Sequence, residues 1–294
     1  MKVLLTGAGG FLGGTLATEL EARGHEISGL GLSGRGGWPA VDLTDPDASM
    51  AAVRKSSPEV VIHLAGEASA AAAKSDPDGA FRANATTAWN LLEAVSSEAP
   101  DALFVLGSSA AVYGRPDPAI AGRIPESAPI EPVSIYGASK AAAEMVTGGY
   151  AAGARPRVAI LRVFNLIGPG QHRGVGADLM DAARKGEDAQ MSVKNPGAAR
   201  DFTDVRDAAR AITMVTEAGT EGIYNLCSGS AVRITELADA VAAAAGIGGD
   251  NGVMTGSDRP EDVLVGDPTK LQEAVGWQAT IPLAESLEAR LAES

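Results

Sequence analysis

Cysteine, histidine, aromatic side chains and positive charge are all scarce in this chain. A single cysteine, Cys227, stands among 294 residues, so neither an internal disulfide nor a cysteine-rich metal site can form. It reads as a packing residue. Of the three histidines, His63 and His172 lack the carboxylate spacing of a metal site and read as structural. Lys and Arg number 24 against 37 Asp and Glu, a net charge of −13, which argues against a nucleic-acid backbone as partner. Long apolar runs are missing too. Leu103–Leu106 and Val241–Ala245 fall far short of the roughly 18 residues that a membrane span needs. The opening Met1-Lys2-Val3-Leu4-Leu5-Thr6-Gly7 is too short an apolar stretch for a signal peptide and reads as structure. A cytoplasmic location is the expectation. An anionic small molecule stays compatible with the acidity only where arginines gather locally.

What is present is a strand–helix alternation. Strands are expected at Lys2–Thr6, Glu26–Leu30, Val60–Leu64, Leu103–Gly107 and Arg157–Val163. Helices are expected at Phe11–Arg23, Ala48–Lys55, Phe81–Glu98 and Ile135–Gly148. Phe11, Leu12, Leu16 and Leu20 recur at helical spacing. Near-continuous apolar strands between helices predict an α/β, doubly wound parallel sheet covered on both faces, with ligands at the carboxyl ends of the strands. After Asn165 the texture changes, with Gly168-Pro169-Gly170 and Asn195-Pro196-Gly197 marking loops. The expected division is a dinucleotide-binding domain over 1–164 and a smaller mixed α/β substrate region over 165–294. A segment near 200–227, with Ile223–Leu226 as a strand, returns to the sheet.

Thr6-Gly7-Ala8-Gly9-Gly10-Phe11-Leu12-Gly13 ends the first strand and opens the first helix. Gly7, Gly10 and Gly13 make G-x-x-G-x-x-G, while the stricter G-x-G-x-x-G fails because Leu12 occupies its last position. Glycine permits the tight turn and lets a pyrophosphate approach the backbone at a helix N-terminus, with Phe11 and Leu12 in the first turn. A carboxylate at the end of the second strand would bond the ribose hydroxyls of NAD. The run Gly29-Leu30-Gly31-Leu32-Ser33-Gly34-Arg35 has none, and Ser33 with Arg35 suits a 2′-phosphate, which favours NADP over NAD. A solvated loop charge is the alternative for Arg35.

Tyr136 and Lys140 stand four apart on one helical face. A neighbouring ammonium is expected to lower the tyrosine pKa and so to suit proton transfer. Gly107-Ser108-Ser109 at the end of the preceding strand offers hydroxyls that can orient the same carbonyl. The plain alternative for the serines is a turn that closes the strand.

With these motifs on the page, the sequence resembles the extended short-chain dehydrogenase/reductases that act on nucleotide sugars, over nearly its whole length. The resemblance takes in the glycine loop, Asp42-Leu43, His63-Leu64-Ala65-Gly66, Asn84, Ser109, Tyr136 and Lys140. It continues through Phe164–Gln171, Arg200–Asp207, Tyr224–Gly229 and Arg259-Pro260-Glu261-Asp262-Val263. It implies that Gly7, Gly10 and Gly13 hold the dinucleotide pyrophosphate and that Asp42 and Leu43 contact adenine. Leu64, Ala65, Gly66 and Asn84 join the cofactor site, as do Tyr136 and Lys140. It further implies that Ser109, Tyr136 and Lys140 are catalytic, and that Ser108, Ser109, Asn165, Arg200, Arg259 and Asp262 meet the nucleotide sugar. The C-terminal half is similar to the reductases that turn GDP-4-keto-6-deoxymannose into GDP-rhamnose.

Departures narrow the reaction. The related 4,6-dehydratases carry acidic residues after the catalytic Ser/Thr, where this chain has Ala110 and Ala111. The related 3,5-epimerase/reductases place a cysteine in that loop, where Ala110–Val112 offers none. The resemblance therefore implies a ketoreductase acting at C4, with a nucleotide-sugar 4-epimerase holding NAD as the alternative. A non-catalytic dinucleotide-binding regulator is a third reading, which an intact Ser–Tyr–Lys set disfavours. No aromatic base-reading motif marks the C-terminal region, so the base rests on resemblance. A homodimer is expected through Phe81–Glu98 and Ile135–Gly148, with Trp89, Leu92, Met145 and Val146 shared between core and interface.

Overall fold

Val3, Leu4 and Leu5 are all buried, and a strand that buries consecutive residues needs cover on both faces. The computed structural model describes residues 1–115, 122–153, 156–185, 191–193, 195–247, 252–254 and 262–293. Six parallel strands form the main sheet: β1 (Lys2–Thr6), β2 (Glu26–Leu30), β3 (Val60–His63), β4 (Leu103–Ser109), β5 (Arg157–Val163) and β9 (Gly222–Leu226). Their order is β2-β1-β3-β4-β5-β9. The chain reverses its direction of travel between β1 and β3, which opens a crevice at the carboxyl ends there.

Alternate strand residues feed two cores. Val3, Leu5, Leu103 and Val105 pack with Leu16 and Leu20 of α1 (Phe11–Ala22) and with Ile212 and Val215 of α8 (Val205–Ala218). Leu4, Phe104 and Leu106 face the other way. They meet Val53 of α2 (Pro46–Ser56), Leu91, Leu92 and Val95 of α5 (Thr87–Glu98), and Ala143 of α6 (Ile135–Ala152). Fully burying one such aliphatic side chain contributes about 1.5–3 kcal/mol.

One expected helix is three pieces. The stretch Phe81–Glu98 follows α3 (Ala70–Ser75) and begins inside α4 (Pro77–Phe81), passes through a π turn at Arg82–Thr86, and then becomes α5. Such single-turn bulges insert a residue and re-aim a side chain; here that side chain is Asn84.

The second unit is built around β8 (Ala199–Asp204). It pairs with β6 (Asn165–Ile167), β10 (Ala231–Arg233) and β12 (Val263–Leu264). A separate parallel pair joins β7 (Met191–Val193) and β11 (Gly252–Met254). A third core sets Ile167 and Phe202 against Leu179 and Met180 of α7 (Val175–Ala183), Leu237 and Val241 of α9 (Ile234–Ala244) and Leu287 of α11 (Leu283–Leu291). Between α9 and α11 lies α10 (Thr269–Val275). Among the described residues no helix is long and apolar enough to cross a membrane.

Candidate active site

The turn after β1 is a glycine cradle. Gly7 has φ +76°, and a Cβ there would lie 2.7 Å from Ala65 N. A Cβ on Gly13 would lie 2.1 Å from the Gly7 carbonyl oxygen, and one on Gly9 would lie 2.6 Å from that of Arg35. Gly10 begins α1 without a side-chain cap, and no acidic residue stands in the first turn. The N–H groups of Phe11 and Leu12 and the positive helix end are thereby open to an anion. The exposed loop carrying Ser33 and Arg35 touches this cradle at Gly9. Asp42 is exposed; its carboxylate accepts from the Thr44 hydroxyl and N–H at 2.7 and 2.9 Å, bonds that hold it below the usual range. Leu43 is buried.

Across the crevice, Leu64 and Ala65 are tied to Thr6 by their N–H groups. Gly66 has φ +147°, and a Cβ there would lie 2.2 Å from Asn84 Oδ1. The Asn84 amide donates to the Glu67 carbonyl at 3.1 Å and to Ser139 Oγ at 2.8 Å, while its buried Oδ1 has no protein partner. A backbone cradle, an uncapped helix and an unmatched acceptor fit a dinucleotide lying along the crevice. The glycine turn and α1 would hold its phosphates, and residues 64–66 and Asn84 its nicotinamide half.

The catalytic candidates meet at the ends of β4 and α6. Ser109 caps the short 3-10 turn Ala110–Tyr113, its Oγ accepting from Ala111 N at 3.2 Å. Ser134 caps α6 by accepting from Gly137 N at 3.0 Å. A Cβ on Gly137 would come within 2.4 Å of the Ala111 carbonyl oxygen, so only glycine lets the first turn of α6 sit this close. The result brings the Tyr136 hydroxyl beside Ser109, close enough for the serine to pull its pKa down. Lys140 is buried and donates to the Gly107 carbonyl at 2.9 Å. Burial lowers its pKa to about 8, against the opposing pull of Glu144.

The expected depression of the tyrosine pKa is not what the site produces. Burial raises it, Ser109 lowers it, and the charge of Glu67 raises it again. Desolvation is the largest of these effects and wins, while the Lys140 ammonium points to the Gly107 carbonyl. Burial thus keeps the Tyr136 hydroxyl protonated.

Ser108 and Ser109 part company because successive strand residues face opposite sides. Ser108, expected at the substrate, is buried and donates to Glu144 Oε1 at 2.5 Å. In the second unit Asn165 donates to the Asp201 carbonyl at 3.1 Å. Arg200 is ion-paired to Asp262 at 2.9 Å and donates to its carbonyl at 2.7 Å. Arg259 lies outside the described residues. His63 is sealed between Thr6 Oγ1 at 2.7 Å and Thr87 Oγ1 at 3.1 Å, and Cys227 is buried.

Three further residues shape the site. Glu67 stands between Tyr136 and Arg173, 3.6 Å from the latter. Glu144 and Arg162 pair behind Lys140. Arg162 could have been found from its place in the apolar run Val158–Val163, where a buried charge demands a partner. Glu144, four residues after Lys140, shares its face.

Known proteins carry the same architecture. The chain is 30% identical to a GDP-6-deoxy-D-mannose reductase of Pseudomonas aeruginosa, over 99% of this chain and 96% of the relative. Among solved structures it is similar to the Thermus thermophilus UDP-glucose 4-epimerase in complex with NAD. That match has TM-score 0.88 and 30% identity, over 99% of this chain and 98% of the other. It is also similar to RMD from Pseudomonas aeruginosa complexed with NADPH, at TM-score 0.85 and 29% identity, with the same coverage. The glycine turn, both sides of the crevice, Ser109, Tyr136 and Lys140 all fall within residues 3–227, and over that span the sequence matches, and the chain belongs to, the NAD dependent epimerase/dehydratase family.

Proposed function

We propose that the protein reduces the C4 ketone of a nucleotide-linked 4-keto-6-deoxy sugar, converting GDP-4-keto-6-deoxy-D-mannose to GDP-D-rhamnose. The observation that carries this reading is the end-to-end similarity to the Pseudomonas reductase. The residues after Ser109 agree with it. Ala110 is buried and neither it nor Ala111 has a titratable group, so these two positions supply no acid or base for eliminating water.

Residues 64–66 and Asn84 would hold a reduced nicotinamide, which would supply the hydride chemistry at C4. The Tyr136 hydroxyl gives its proton to the ketone oxygen, which leaves an alcohol and a phenolate that is reprotonated from solvent. Ser109 holds that oxygen by hydrogen bonding. Lys140, as a cation one turn along α6, stabilises the phenolate. Asn165, Arg200, Asp262 and Arg259 are the residues we assign to the nucleotide sugar. NADP is the favoured cofactor, because the loop beside Gly9 offers Ser33 and Arg35 and no carboxylate.

A nucleotide-sugar 4-epimerase is the second reading, favoured by the similarity to the Thermus epimerase. The test is NADPH and NADH consumption with GDP-4-keto-6-deoxymannose, and with dTDP- and UDP-linked keto sugars as comparators. Rapid oxidation with the GDP sugar, abolished in Tyr136→Phe while cofactor affinity is kept, is the expected result. Absence of consumption with every keto sugar, together with NAD released on denaturation and UDP-glucose turned into UDP-galactose, would replace the reductase by the epimerase.

A further inference from the structure

Three residues of α6 grip three consecutive residues of β4. Tyr136 meets Ser109, Lys140 Nζ donates to the Gly107 carbonyl, and Glu144 Oε1 accepts from Ser108 Oγ. The helix residues are four apart, one stripe along its face. Two of them are the proposed proton donor and its cation; the third has no part in that chemistry.

Glu144 is unusual for its surroundings. Its carboxylate and the Arg162 guanidinium are each 3% exposed, 2.8 Å apart. Arg162 Nε reaches both carboxylate oxygens, at 3.1 and 3.2 Å. Its Nη1 donates to the Tyr113 hydroxyl and to the Glu126 carbonyl, each at 2.9 Å. Tyr113 in turn donates to Asn225 Oδ1 at 2.7 Å. A buried ion pair is seldom more stabilising than an apolar pair of the same volume, so its place behind the site points to a role other than stability.

We propose that Glu144, fixed by Arg162, is a positioning residue for the Ser109–Tyr136–Lys140 set: it seats the third rung of this stripe and keeps Lys140 cationic beside Tyr136. The proposal rests on the catalytic reading given above. The charged and titratable groups around Lys140 leave Glu144 this task. On its own helix stand Tyr136 and Glu144. From β3 comes His63, neutral because burial and the lysine charge lower its pKa to about 3. From β5 comes Arg162, turned to Glu144. The 3-10 turn brings Tyr113, which burial pushes up to about 12, and Glu67 acts at Tyr136. Burial draws Lys140 towards neutrality, and Glu144 is the carboxylate that opposes it.

The deciding measurement is the Lys140 titration midpoint, read by NMR of protein carrying 13C-labelled lysine, beside the pH profile of kcat on the keto sugar. In Glu144→Gln the midpoint falls, and the alkaline limb of kcat moves acid by about one pH unit. A one-unit move is about a tenfold change above the limb, with the loss at pH 6 much smaller. Glu144→Asp restores the limb. Glu144→Gln/Arg162→Met removes both charges of the pair and, should the single variant fail to fold, gives a smaller shift in the same direction, because the lost Arg162 cation offsets part of the lost carboxylate. An unchanged midpoint, or an equal proportional loss at every pH, overturns the proposal. A fully active Tyr136→Phe enzyme would instead sink the catalytic reading, whereas an inactive one beside a pH-independent Glu144→Gln loss sinks only the role of Glu144.

Discussion

His63 shows how a single side chain ties the site to stability. It sits at the end of β3 with both ring nitrogens bonded to threonine hydroxyls, and desolvation lowers its pKa to about 3. In the unfolded chain a histidine titrates near 6.5. The unfolded state therefore binds the extra proton first. The stability contributed by the neutral ring is complete above about pH 6.5 and is lost as pH falls towards 3, by up to roughly 1.4 kcal/mol per unit. The melting temperature should fall steadily over that window and flatten in His63→Gln; two parallel curves would show that other groups govern acid unfolding. Gly13 makes a steric counterpart. Its missing Cβ leaves room for the Gly7 carbonyl 2.1 Å away, a gap that a flexible side chain could relieve but backbone cannot. Gly13→Ala is expected to cost about 2–3 kcal/mol or more, and to weaken NADPH binding tenfold or more by opening the turn. Binding at the wild-type level would mean that the turn tolerates the shift.

At the scale of elements, the first turn of α6 is set by Gly137, whose contact with Ala111 leaves no room for a methyl group. Gly137→Ala should push the helix outwards and carry Tyr136 off Ser109. The expected signature is a kcat loss of tenfold or more with little change in cofactor Kd; a matching fall in both would place the damage in the whole domain. The elements themselves are legible where the pattern is simple. β1, β2 and β5 keep their expected bounds to the residue, and the glycine turn is a local motif. What is not legible depends on contacts between distant segments. The π turn at Arg82–Thr86 leaves no mark in a helical pattern, because its reason is Asn84 reaching Glu67 and Ser139. The expected lowering of the Tyr136 pKa fails for a like reason. Spacing places Lys140 beside it, but cannot show the ammonium bound to Gly107 or the carboxylate of Glu67 nearby. Ser108 could have been separated from Ser109 by strand alternation alone, since β4 runs through both.

For the molecule as a whole, the surface over α5 and α6 argues for a second copy of the chain. Leu92 is fully buried and belongs to the core alone, a correction to its expected place at an interface, and Val146 packs against that same core. Trp89 and Met145 instead stand 56% and 63% exposed, with Phe81 at 51% just before the π turn. Large apolar side chains on two helices that also pack on each other are better covered than solvated. A two-fold axis would bring α5 and α6 of each copy against the same pair of its partner, so that each residue counts twice in one interface. A stable contact of this kind buries about 800 Å² per subunit. Wild-type protein should sediment as a dimer at micromolar concentration. Met145→Glu places two carboxylates in the same apolar interface and should yield a folded monomer, with Trp89→Glu acting alike. The catalytic groups lie on the β4 side of α6, so the monomer should keep its cofactor affinity. A wild-type chain that sediments as a monomer would show that this face is covered by something other than its own copy.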